Sequence, residues 1–137
     1  MKKIDKKDLD ILLKYHDIVD WVTLPRRYRL DENDIEKCGK YIHWPMIPQY
    51  QKLSEPFIEK HINKFTIWDI CVYQKLSERF IEKHKDKVFW AAICKYQKLS
   101  PKFVAKHIDK ITREIFDNPC YKNFPDSLKL LLEQKFK

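Results

Sequence analysis

The apolar positions of this chain recur in a fixed frame. Leu53, Phe57, Ile58 and His61 come back 23 residues later as Leu76, Phe80, Ile81 and His84, then as Leu99, Phe103, Val104 and His107. Their spacing of i, i+4, i+5, i+8 lays one stripe on a helix. A second stripe, spaced i, i+3, i+4, i+7, follows as Ile67, Ile70, Cys71 and Gln74, then as Trp90, Ile93, Cys94 and Gln97. Polar turns such as Asn63-Lys64 and Asp86-Lys87 separate the two. Each unit therefore reads as a pair of short helices, and a constant period of this size marks a stacked repeat. A helix of two turns does not stand alone, because nucleation is costly, so each must bury its face against a neighbouring unit.

The polar residues keep the same frame. Tyr50-Gln-Lys-Leu-Ser-Glu returns from Tyr73 and, as Tyr-Gln-Lys-Leu-Ser-Pro, from Tyr96. Ser54, Ser77 and Ser100 stand where an N-cap belongs, with Pro56 and Pro101 in the first turns that tolerate proline. Residues 50–118 make three clear repeats, and residues 1–49 an N-terminal cap with degenerate copies. In that segment Leu30 falls opposite Leu53, Asp31 opposite Ser54, and Ile35 opposite Ile58, while Trp44 and Trp21 match Trp90. Residues 1–7 read as frayed. Asp8 is expected to cap a first helix bearing Leu9, Leu12 and Leu13. Asp20 is expected to cap a second that Pro25 ends or kinks. Pro45 and Pro48 predict a distorted unit. Asp117-Asn118-Pro119 breaks the frame, and residues 119–137 form a capping helix whose Leu128, Leu131, Leu132 and Phe136 close the last apolar face. The whole is one all-α domain, a small α-solenoid of stacked helical hairpins with caps at both ends.

A single glycine, Gly39, argues against phosphate-cradling loops and tight hairpins. The formal charge is +8, carried by 28 basic and 20 acidic residues. The excess is concentrated in the repeats and interleaved with acid, which a Lys/Glu-coated helix surface explains before any anionic partner is invoked. Cys38, Cys71, Cys94 and Cys120 form no C-x-x-C pair. No secretory signal opens the chain and no apolar run is of membrane length, so a reducing cytoplasm with free thiols is expected.

The motif Tyr-Gln-Lys-Leu-Ser-Glu-x-Phe-Ile-Glu-Lys-His, followed by Lys-Val-x-Trp and Ile-x-x-Tyr-Gln, resembles the short helical repeats of proteins encoded by bacteriophages and large DNA viruses. The match is close over residues 50–108 and weak outside them. It implies an α-solenoid and a viral source, and it carries no catalytic residue. The third copy departs from it, with Thr112-Arg113 where aromatics belong.

Little in the chain suggests chemistry. His61, His84 and His107, near Cys71 and Cys94, bring zinc to mind, but recurrence at the repeat period favours a packing role over ligation. Cys71 and Cys94 sit on a core stripe as small hydrophobes. Glu59 and Glu82 read as solubilising partners of Lys60 and Lys83 rather than an acid/base couple. The lysines form registers: Lys52, Lys75 and Lys98; Lys60, Lys83 and Lys106; Lys64, Lys87 and Lys110. Such stripes track phosphates or merely coat a surface. Only the third unit, with Pro101, Lys102 and Ala105 in acidic slots, is cleanly basic, so Lys52, Lys75, Lys98, Lys102 and Lys106 are the anion-binding candidates. Arg26, Arg27 and Arg29 break the repeat. They serve an anion, or they pair with Asp31, Glu32 and Asp34.

Residues common to all units should hold the stack, and those that vary should face a partner: Trp68, Phe89 and Arg113 among them. Trp68 and Phe89 are exposed anchors or seal the seam between repeats. The expected function is binding without catalysis, without cofactor or metal and without a membrane. The leading partner is a host protein or ribonucleoprotein complex. The resemblance suggests a phage anti-defence factor, such as an anti-CRISPR inhibitor. The alternative is a nucleic-acid or nucleotide-binding module that uses the lysine stripes and the arginines.

Overall fold

The computed structural model describes all 137 residues. It is mostly helical, with ten α-helices, short 3-10 turns and one pair of two-residue strands. The chain divides into two compact units, Met1–Ile70 and Cys71–Lys137.

The first unit begins with β1 (Lys2–Lys3), which pairs in parallel with β2 (Tyr28–Arg29). The frayed start expected for residues 1–7 is thus corrected. Ile4 is buried and its N–H donates to Arg29 O, while Lys3 Nζ reaches the buried Asp34 carboxylate at 2.5 Å. Helix α1 (Lys6–Lys14) is capped by Asp5, whose carboxylate accepts from Lys7 N–H; Asp8 lies inside the first turn instead. Asp20 caps no helix through Trp21. It holds a turn, accepting from Val22 N–H, Thr23 N–H and the Thr23 hydroxyl. Helix α2 (Leu24–Arg27) then starts with Pro25 in its first turn, so the proline opens a helix where it was expected to end one.

Helix α3 (Glu32–Lys37) carries a full capping box. Asp31 accepts from Asp34 N–H, and Asp34 accepts from Asp31 N–H. The stretch with Pro45 and Pro48 breaks into a 3-10 turn and α4 (Ile47–Tyr50), a distortion of the kind the prolines predict. Helix α5 (Glu55–Lys60) follows its Ser54 cap, and α6 (Ile67–Tyr73) completes that copy.

In the second unit, α7 (Glu78–Lys83) and α9 (Pro101–Lys106) repeat the geometry of α5. Ser77 and Ser100 accept from Phe80 and Phe103 N–H as Ser54 accepts from Phe57 N–H. Helix α8 (Trp90–Tyr96) follows α7 in the chain and packs mainly on the segment Arg113–Asp117. After α9 the frame decays into a 3-10 segment, Arg113–Asp117, with Thr112 and Arg113 at the positions Phe89 and Trp90 hold one copy earlier. Helix α10 (Asp126–Lys135) buries Leu128 and Leu132 but leaves Leu131 half exposed, so Leu131 does not close the apolar face as expected.

The core follows the two stripes. Ile58, Ile81 and Val104 are fully buried, as are Ile93 and three cysteines, Cys38, Cys71 and Cys94. The tryptophan frame extends into the degenerate copies. Trp21, Trp44 and Trp90 each donate their indole N–H to the carbonyl five residues earlier, on His16, Gly39 and Lys85.

Candidate functional site

The recurring glutamine explains itself once its bonds are traced. In the first unit Gln51 is buried. Its Nε2 donates to Pro25 O at 2.7 Å and Tyr28 O at 2.8 Å, and its Oε1 accepts from Leu30 N–H at 2.7 Å. In the second unit Gln97 does the same with Cys71 O, Gln74 O and Leu76 N–H, at 2.7, 2.7 and 2.9 Å. The acceptor and donor positions lie 26, 23 and 21 residues back in both cases. One carboxamide thus ties down the carbonyls at the end of the preceding second helix and the amide that leads into the next. Sequence periodicity places these glutamines on the apolar stripe but does not show why a polar residue belongs there.

The recurring acids have a similar task. Glu32 accepts from the N–H and hydroxyl of Ser54, and Glu78 from those of Ser100. The serine caps its own helix and is held by the preceding copy. Glu36 takes Lys60 at 2.7 Å and His61 at 3.0 Å, and Glu82 takes Lys106 at 3.3 Å and His107. Glu82 therefore bonds to the following copy rather than acting as a solubilising partner of Lys83. Lysine's hydrogen bond is the main influence holding the Glu36 carboxyl below its ordinary range, with His61 adding to it. Burial pushes Glu82 up, but Lys106 and His107 outweigh it and leave the group lowered.

The histidines sit just past their helices as C-caps. Their rings pack on the phenylalanine four residues earlier, with centroids 4.6 Å apart for His61 on Phe57, 4.5 Å for His84 on Phe80 and 4.6 Å for His107 on Phe103. Trp44 covers His61, and Trp90 covers His107. The buried thiols are unreactive in character. Burial raises Cys38 to about 11 and shifts Cys71 and Cys94 upward as well. Cys120 is only partly buried.

With the acids engaged, the candidate cations can be placed. Asp31 and Asp34 are held by Lys3, and Glu32 by Ser54, so none pairs with Arg26, Arg27 or Arg29. Arg26 lies over the Tyr50 ring at 5.5 Å and has its guanidinium 4.0 Å from the Met46 sulfur. Arg27 and Arg29 are exposed and make no ion pair. Lys52 in the first unit, and Lys75, Lys98 and Lys102 in the second, are likewise exposed and unpaired. Lys106 is not, being tied to Glu82, and Arg113 donates to Phe136 O and stacks on the Phe136 ring. Trp68 in the first unit is 43% exposed, and Phe89 in the second 48%.

The rule that shared residues serve only cohesion has an exception. Tyr73 and Tyr96 recur at the repeat period, yet they are 52% and 50% exposed, each beside a buried glutamine. Lys95 lies 5.5 Å from the Tyr96 ring. Periodicity alone cannot separate an outward tyrosine from an inward one.

The array ends with a substitution. The fourth glutamine position is Cys120, and the amide is supplied two residues early by Asn118. Its Nδ2 donates to Cys94 O at 2.7 Å and Gln97 O at 2.8 Å, the counterparts of the Gln97 contacts one copy earlier. Its Oδ1 accepts from Cys120 N–H instead of reaching Leu99 N–H. Leu99 is 3% exposed, borders a cleft, and meets no protein acceptor at its amide.

No helix of the chain is long and apolar enough to cross a membrane. Comparison with family models, with curated proteins and with solved structures returned no match.

Proposed function

We propose that this chain is a non-catalytic binding protein, a solenoid-like stack of helical repeats that engages an anionic macromolecular surface. One observation carries the reading. The recurring acids are spent on bonds between copies, whereas Arg27, Arg29, Lys52, Lys75, Lys98 and Lys102 are exposed without a carboxylate. Exposed cations that folding does not use raise the local potential toward an anionic partner and speed its capture. Trp68, Phe89, Tyr73 and Tyr96 add exposed aromatic area of the sort that anchors partners. The histidines, glutamines and glutamates that recur in the repeats have packing or bonding duties, and none of them is arranged for general acid/base work.

The partner we favour is an acidic surface on a host protein or ribonucleoprotein complex. An anti-defence role, such as covering a CRISPR effector, belongs to the same reading through the repeat resemblance. Affinity capture from host extract, with and without nuclease, tests it. Retention of a protein partner after nuclease, weakened by salt and lost in Arg27→Glu/Arg29→Glu, supports the proposal. Capture of nucleic acid alone favours the module that reads phosphates. Binding unaffected by salt and by charge reversal overturns both.

A further inference from the structure

The second unit contains a cleft of about 400 Å³ lined by Lys98, Leu99, Ser100, Cys120 and Phe124, with Glu78 also in its wall. It lies where the repeat bonding falls one acceptor short. Leu30 and Leu76 N–H each meet a glutamine oxygen from the following copy, but Leu99 N–H meets none. The residue standing where that glutamine would be, Cys120, carries a thiol and no oxygen, and it borders the cleft.

We infer that this cleft is a docking site for an acidic peptide segment of a partner protein. A partner carboxylate there takes the place of the missing glutamine oxygen at Leu99 N–H, with the Lys98 ammonium beside it. An adjoining apolar side chain packs on Leu99, Pro101 and Phe124.

The choice of a carboxylate over a carboxamide rests on charge. Glu78 already accepts from the Ser100 N–H and hydroxyl, at 2.6 and 3.0 Å. Lys98 carries the only charge in the lining without a hydrogen-bonding partner. The second unit as a whole holds 15 basic and 8 acidic residues, a net +7. The two carbonyls that would engage a carboxamide N–H₂ are already occupied by Asn118. What is left for a ligand is an acceptor's place, and an anion fills it best.

This inference rests on the anionic-partner reading and places one acidic segment of the partner in this pocket. The test uses the full chain with acetyl-leucyl-aspartyl-glutamyl-leucine amide as probe and its asparaginyl-glutaminyl counterpart as control. Two signals are followed: the Leu99 backbone amide resonance, and the rate of Cys120 alkylation by iodoacetamide. The acidic peptide is expected to shift the Leu99 resonance downfield and slow alkylation several-fold. The control should do neither. Lys98→Glu should abolish both effects, while charge reversal at the exposed Lys40 of the first unit, Lys40→Glu, should leave them intact. Equal action by both peptides, no protection of Cys120, or indifference to Lys98→Glu overturns the inference. So does protection by an oligouridylate in place of the peptide. Loss of partner capture in Arg27→Glu/Arg29→Glu with an intact cleft response separates the failure of one idea from that of the other.

Discussion

The two compact units are built on one bonding scheme and carry different charge. Met1–Ile70 holds 13 basic and 12 acidic residues, a net +1, and Cys71–Lys137 holds 15 and 8, a net +7. Each nonetheless contains a complete glutamine clasp, a glutamate gripping the serine cap of the following copy, and a glutamate joined to a lysine and a histidine. The bonding is therefore indifferent to net charge. In the second unit Lys106, Arg113, Lys129 and Lys135 are hydrogen-bonded, whereas Lys75, Lys98 and Lys102 are exposed and bound to no carboxylate.

Breaking the clasp should have the largest effect, and a similar one in each unit. Gln97→Leu strands two carbonyls and an amide in the interior. Its unfolding free energy in a urea titration should fall by about 3–5 kcal/mol. Gln51→Leu should match it to within about 1 kcal/mol, since its three bonds have the same pattern. A much smaller loss in either unit would mean that water or relaxation satisfies the freed groups.

The terminal junction should be weaker than the internal ones. Asn118→Ala removes two bonds to carbonyls and the one from Cys120 N–H and leaves Leu99 N–H as it was, so a loss of about 2–3 kcal/mol is expected. Replacing the caps comes next: Ser54→Ala and Ser100→Ala should each cost about 1 kcal/mol, measured the same way.

The acid response is the subtlest comparison. Glu36 and Glu82 sit below the ordinary glutamate value of 4.5 in the folded chain. A depressed folded value means stability that is fully present above pH 4.5 and is lost as pH falls through the folded values. Melting temperature should therefore decline on acidification below pH 4.5, and Glu36→Gln and Glu82→Gln should each flatten that decline. An unchanged acid limb in both variants would show that these glutamates bond too weakly to matter.

Much of this was legible in the sequence because the repeat frame exposes it. Helices led by Ser54, Ser77 and Ser100, the buried Ile58, Ile81 and Cys94, and the distortion at Pro45 and Pro48 all follow from periodicity and local backbone preference. The misreadings at Asp8 and Pro25 are shifts of a few residues, where two acids competed for one cap and a proline suited a first turn as well as a last one. Pairing of Lys2-Lys3 with Tyr28-Arg29 was invisible, because two residues carry no alternation to read. The candidate site was less legible. Which cations survive unpaired depends on where each acid is drawn by a copy some 22 to 25 residues away. The cleft beside Leu99 and Cys120 was hidden for the opposite reason: it arises where the frame stops.

The sharpest measurement is residue-resolved amide hydrogen exchange at Leu30, Leu76 and Leu99. If the glutamine oxygens hold the copies together, Leu30 and Leu76 should exchange only through unfolding, while Leu99, lacking an acceptor, should exchange faster. Equal protection at all three, or rapid exchange at Leu76, would contradict that mechanism.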